Sequence, residues 1–233
     1  MFGWHAGDPD PKFGGYFQYF LDGAPVAGSA PAMPDAPETP TEWTVYLAVG
    51  DARATLEATI AQGGEIVLPA MDVGDLGTMA ITVDPGGAKI GVWEPKAFAG
   101  LGILGEAGAP SWFELATGTY ESVVAYYRHV FGWTTEVMSD TAELRYTVMG
   151  GDDGPLAGVM DAGAFLPDGA PSTWSVYFWV DDTDVACTRV VELGGAIIRP
   201  AQDTPYGRLA SATDPQGAHF NLMAANEAMP ARR

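Results

Sequence analysis

At 233 residues the chain is long enough for two ordinary domains, and 47% hydrophobic with 18% charged content places it among globular proteins. Thirty acidic against 11 basic residues give a net charge of -19, a field that repels phosphate backbones and anionic membranes; neither is expected as a partner. A single cysteine, Cys187, excludes an internal disulfide and a cysteine-built zinc site, and its helical setting reads as a small buried hydrophobe. No secretory signal is visible, no stretch approaches the ~18 apolar residues of a membrane span, and a cytoplasmic location is expected.

The chain opens "MFGWHAGDPDPKFGG". Residues 24–42 are read as a proline-rich loop, a rigid connector. "TVYLAV" alternates with period two and is rich in β-formers, which predicts a strand. "DARATLEATIAQ" follows as a helix that opens at a capping aspartate, carries Leu56 and Ile60 one turn apart, and stops at Gly63-Gly64. "EIVLP" and a strand pair joined at Asp84-Pro85-Gly86-Gly87 complete the unit; proline second and glycine fourth is the chemistry of a type I turn. "AFAGLGILGEAGAP", residues 97–110, is read as a linker.

Beyond it the text repeats. "WSVYFWVDDTDVACTRVVELGGAIIRP" from Trp174 matches "WTVYLAVGDARATLEATIAQGGEIVLP" from Trp43 at nine of 27 positions without a gap. "TDPQGAHFNLM" answers "VDPGGAKIGVW", "GPLAG" answers "APVAG", and Phe131-Gly132-Trp133 answers Phe2-Gly3-Trp4. The second copy holds two strand-helix-three-strand units, the earlier one being "SWFELAT", the helix "TYESVVAYYRHV" and three strands ending in "PLAGVMD". The first copy holds one full unit, preceded only by the last three strands of another. The boundaries drawn are 1–96, a linker at 97–110, 111–226 and a tail at 227–233.

Paired βαβββ units with "FGW" after the first helix, "VDD" after the middle strand, "GG" before the next and "DPxG" near the end resemble the vicinal oxygen chelate superfamily. That is the group of glyoxalase I, bleomycin-resistance proteins and extradiol dioxygenases. The resemblance implies an α+β fold of tandem paired units, with curved mixed sheets, helices outside and a ligand or metal cup on the concave face. The first domain lacks its first strand and helix. The expected cause is an upstream start of the reading frame; the alternative is a homodimer in which another chain covers the gap.

Strand parity sets the concave inventory. In the second copy it is Trp112, Glu114, Ser175, Tyr177, Trp179, His219, Asn221 and Met223; in the first, Thr44, Tyr46 and Ala48 with Lys89, Gly91 and Trp93. The superfamily's metal ligands come from such inward positions on the first and last strands of each unit. Here Trp112, Ser175, Asn221, Thr44 and Gly91 stand where its metalloenzymes carry His, Gln or Glu, so no metal and no cofactor is expected. Aromatic walls with a few polar groups describe a small-molecule pocket, with Trp112, Ser175, Tyr177, Trp179, Asn221, Met223 and Arg208 as ligand-binding candidates. A salt bridge is the simpler use of Arg208. Glu114 and His219 are the one acid–base pair on that face and the catalytic candidates, though both also read as ordinary strand residues. The first functional reading is a metal-independent binder of an aromatic or hydrophobic small molecule. The alternatives are a lyase, isomerase or oxygenase with an unusual metal site or Glu114/His219 chemistry, and a protein-interaction module with a vestigial cup.

Overall fold

The computed structural model describes residues 1–31, 41–151 and 154–229. In chain order these form β1 (His5–Ala6), β2 (Phe17–Leu21), β3 (Ala24–Ser29), β4 (Tyr46–Ala48), α1 (Ala52–Ala61), β5 (Glu65–Val73), β6 (Gly77–Val83), β7 (Lys89–Pro95) and β8 (Pro110–Thr117). Then come α2 (Tyr120–Phe131), β9 (Thr134–Asp140), β10 (Arg145–Gly151), β11 (Gly154–Asp161), β12 (Thr173–Trp179), α3 (Thr183–Glu192), β13 (Ala196–Thr204), β14 (Gly207–Thr213) and β15 (His219–Ala224). The fold is mixed α+β.

The chain divides into two compact units, each taking parts from both sequence copies: Met1–Trp43, Leu101–Ser111 and Val176–Arg233 in the first, Thr44–Gly100 and Trp112–Ser175 in the second. In the second unit the strands run β4-β7-β6-β5 and β8-β11-β10-β9. Each set pairs its first strand parallel to its last, β4 on β7 and β8 on β11, and the remaining pairs are antiparallel. In the first unit β12-β15-β14-β13 repeats that plan, with β12 parallel to β15. The other set is β1-β2-β3 alone, antiparallel throughout.

Aspartates start two of the helices as their sequences predict. Asp51 Oδ1 accepts from the backbone N–H groups of Arg53 and Ala54, and Asp182 Oδ1 from those of Asp184 and Val185, filling donors that a helix N-terminus leaves open. On α1 the buried stripe is Ala52, Thr55, Leu56 and Thr59, while Ile60, one turn on from Leu56, is exposed. Helical spacing sets Ile60 roughly a quarter turn round from the centre of that stripe. α2 buries Tyr120, Val123, Tyr126 and Tyr127 into a core with Val45, Leu47, Ile90, Leu115, Val159 and Trp174.

At the heart of that core lies a polar chain. The Tyr127 hydroxyl donates to Asp84 Oδ2 at 3.0 Å and accepts from the Trp174 indole Nε1 at 2.8 Å. Asp84 Oδ1 accepts from the N–H groups of Gly86 and Ala88 in the Asp-Pro-Gly-Gly turn. Burial pushes the Asp84 carboxyl up, against the hydrogen bonds that favour its charge, and pushes the Tyr127 phenol well up. Thus α2 is fixed to a hairpin turn of the other sequence copy by a satisfied buried network.

One loop expectation changes. The first six residues of 24–42 are β3, as their match to β11 implies; residues 32–40 of the loop lie outside the described residues. Of the 97–110 segment, residues 101–110 belong to the first unit and are anchored there. Gly102 N–H donates to Pro25 O on β3, and Gly108 N–H to Trp179 O.

Candidate functional site

On the second unit, Phe113 packs against the core and Leu115 lies in it, while their neighbours Trp112, Glu114 and Ala116 take the opposite face of β8. The register on that face is set by β11 and β10: Glu114 lies beside Gly158, which pairs with Val148, and Ala116 beside Met160, which pairs with Tyr146. Tyr146 crosses these rows. Its ring lies over Gly158, where even a Cβ would collide with it. Its hydroxyl donates to Glu114 Oε2 at 3.0 Å and accepts from Trp112 Nε1 at 2.9 Å. An indole, a phenol and a carboxylate are therefore held in line by a glycine that makes room for them.

Tyr146 was missed by strand parity applied only to first and last strands. The signal was present in the repeat: Tyr16 and Gly28 stand in the first copy where Tyr146 and Gly158 stand in the second. In the first unit the Tyr16 hydroxyl likewise lies where a Cβ on Gly28 would go, and burial pushes that phenol up. On β4 and β7 of the second unit the Tyr46 ring fills the space over Gly91 in the same manner. Ser175 is half-buried in the second unit, and Thr44, just ahead of β4, is also half-buried.

Within the first unit the remaining candidates have other occupations. Tyr177 and Trp179 are half-buried on β12, and Ser111 Oγ donates to Tyr177 O and lies 3.0 Å from Met223 Sδ. Asn221 is buried and its Oδ1 accepts from Ser211 Oγ at 2.6 Å. Arg208 grips Asp184 with two guanidinium nitrogens, at 2.6 and 3.0 Å, and reaches Asp203 at 3.0 Å, which ties β14 to the first turn of α3. His219 begins β15 on the exposed side; desolvation of its ring, with Arg199 nearby, lowers its pKa. Glu114 belongs to one compact unit and His219 to the other.

His5 lies on the short strand β1, and His129 sits exposed on α2 with Nδ1 2.7 Å from Ala125 O. Cys187 is half-buried, and burial raises its thiol pKa, away from a nucleophile's range. Among the described residues no three His, Cys, Asp or Glu side chains gather where they could hold a metal ion. No helix among them is long and apolar enough to cross a membrane.

Comparison with known proteins gives the family. Residues 109–222 match the model of the Glyoxalase/Bleomycin resistance protein/Dioxygenase superfamily. A putative glyoxylase, CFP32, of Mycobacterium tuberculosis is 37% identical over 227 residues, covering 96% of this chain and 86% of the relative. The anthracycline biosynthesis protein DnrV of Streptomyces peucetius is 35% identical over 246 residues, covering 99% and 88%. In fold, the chain is similar to the Mn(II)-bound glyoxalase from Novosphingobium aromaticivorans, with a TM-score of 0.63 at 14% identity over 96% of this chain and 74% of that one. It is likewise similar to 2,2',3-trihydroxybiphenyl 1,2-dioxygenase from Sphingomonas wittichii, with a TM-score of 0.60 at 12% identity, covering 97% and 82%. With relatives this similar over nearly their whole length, the chain belongs to the glyoxalase/bleomycin-resistance/dioxygenase superfamily.

Proposed function

We propose that this protein binds a planar aromatic small molecule without a metal ion, on the face of the second unit that carries Trp112, Tyr146 and Glu114. The observation that carries this reading is the Tyr146 phenol lying over Gly158 between the indole and the carboxylate. A divalent ion at such a site needs three or four N/O side-chain ligands. Here the inward position on β11 is glycine, and the space above it is taken by a neutral phenol already bonded on both sides. These residues do not fit a metal.

They do fit an aromatic ligand. Indole and phenol rings offer stacking surfaces, and Glu114, fixed by the Tyr146 hydroxyl, presents an acceptor for a ligand hydroxyl. The similarity to proteins of anthracycline biosynthesis supports a fused-ring hydroxyquinone as the ligand class. The test is titration of a hydroxyanthraquinone against tryptophan fluorescence, with and without EDTA. Saturable quenching unaffected by the chelator is expected, weakened about threefold to tenfold in Trp112→Ala, from roughly 0.5–1.5 kcal/mol of ring interaction. Unchanged affinity in Trp112→Ala, or binding that requires added metal, overturns the reading.

A further inference from the structure

The last strands of the four strand sets carry matching positions, which the repeat pairs as Gly28 with Gly158 and Gly91 with Asn221. A tyrosine stands over each glycine, so close that a Cβ would collide with it: Tyr16 over Gly28, Tyr46 over Gly91 and Tyr146 over Gly158. The fourth position differs. Tyr46 lies beside Gly91 in the parallel pair of β4 and β7, and its counterpart Tyr177 lies beside Asn221 in that of β12 and β15. The asparagine side chain takes the space that a ring fills over the glycine. Of the four positions, this one alone carries a polar side chain.

Asn221 is 5% exposed, and its amide is half used. Across the pair of β14 and β15, Oδ1 accepts from Ser211 Oγ at 2.6 Å, and Ser211 is itself buried. That bond fixes which way the amide points. Nδ2, with two N–H donors, has no partner among the described residues. Nor is it sealed, because the one sealed and unpaired side-chain nitrogen or oxygen among them is Trp43 Nε1. A residue otherwise enclosed therefore turns an unused donor toward reachable space. Buried polar groups are nearly always paired, and an acceptor arriving there gains a bond at little cost in lost hydration.

The neighbouring side chains say what that acceptor belongs to. Tyr177 and Trp179 share the face of Asn221, since Val176 and Phe178 are buried on the other side of β12. Their rings offer stacking surface to a planar ligand. A chain of net charge -19 disfavours an anionic acceptor and leaves a neutral carbonyl.

We propose that the first unit holds a second small-molecule site, in which the Asn221 amide donates to the carbonyl oxygen of a neutral planar aromatic ketone or quinone lying against Tyr177 and Trp179. It stands apart from the second-unit face. There Glu114 presents an acceptor; here Asn221 presents a donor.

The experiment uses the isotope-labelled 233-residue chain, with side-chain amide and indole N–H signals observed by NMR and assigned through the backbone. The probe is chromone, a neutral bicyclic aromatic ketone without a hydroxyl group. Saturable binding that moves the Asn221 NH2 pair and the Trp179 indole signal is expected, weakened about threefold to tenfold in Asn221→Leu. Ser211→Ala, which removes the hydroxyl that aims the amide, is expected to weaken it about twofold to threefold. The NH2 shift is read on the unaltered chain, so it decides whether or not a variant folds. No saturable binding, an NH2 pair unmoved at saturation, or full affinity in a folded Asn221→Leu overturns the inference. So does movement of the Trp112 indole in place of that of Trp179, or an NH2 pair that benzoate moves and chromone does not. Failure of hydroxyanthraquinone binding on the second unit leaves this result untouched, since the two sites are read on different indoles.

Discussion

The two turns written Asp-Pro-x-Gly differ in what surrounds them. Around Asp84 the carboxylate, Tyr127 and Trp174 satisfy one another in a core where Tyr127 and Leu115 are fully buried. Around Asp214 the turn bonds are the same, but Asp214 is half-exposed and the matching indole of Trp43 is orphaned. The difference separates two kinds of information. A turn closes on its own residues, whereas a buried polar network exists only when every member arrives.

The largest expected effect follows from removing the member that links the others. Tyr127→Phe leaves Asp84 Oδ2 and Trp174 Nε1 buried without partners, a loss of about 2–4 kcal/mol in denaturant unfolding. A change below about 1 kcal/mol would mean water replaces the phenol and the network is not closed. Trp174→Phe and Trp43→Phe sharpen the comparison. The first breaks a made bond and leaves the phenol short of a donor, costing about 2–3 kcal/mol; the second removes an unmade one and costs clearly less. Equal losses would show that Trp43 has a partner after all.

The next effect is in pH. Burial raises the folded-state pKa of Asp84 above its unfolded value, so the native state holds its proton longer. Stability contributed by the neutral carboxyl is present at low pH and is lost as pH rises through the range just above the ordinary value of about 3.9. Asp84→Asn is expected to flatten that fall; a pH profile of stability unchanged in Asp84→Asn would show that this carboxyl does not carry it. Smaller still is a feature both regions share. Gly158→Ala and Gly28→Ala each drive a methyl group into a tyrosine, with expected losses of about 1–3 kcal/mol, and Gly158→Ala alone should also weaken hydroxyanthraquinone binding. Least of all, Arg145→Ala and Arg208→Ala should give small, similar and salt-dependent losses. Each arginine ties the third strand of its βαβββ unit to the first turn of its helix, Arg145 through the exposed Glu121 and Arg208 through the exposed Asp184.

Much of the fold was legible. Asp51 and Asp182 announced helix starts, and alternation in "SVYFWV" placed Val176 and Phe178 in the core with Tyr177 and Trp179 opposite. The spacing of Leu56 and Ile60 marked the helix but not its buried stripe; Ala52, Thr55 and Thr59, less hydrophobic, are the buried neighbours of Leu56. The candidate site was half legible. Parity put Trp112 and Glu114 on one face, but Tyr146 comes from a middle strand and reaches them only because Gly158 leaves the path open.

By itself the sequence determined the repeat, the βαβββ order and the turns, since these depend on near neighbours and on periodicity. Only the tertiary structure decided which halves of the two copies build each compact unit, and that a phenol rather than an empty cup stands over the inward glycine. It alone showed that the buried indole N–H of Trp43 has no hydrogen-bond partner among the described residues. Such facts rest on contacts between residues as far apart as Asp84 and Tyr127, and their energies come from burial and pairing, which no local stretch of sequence specifies.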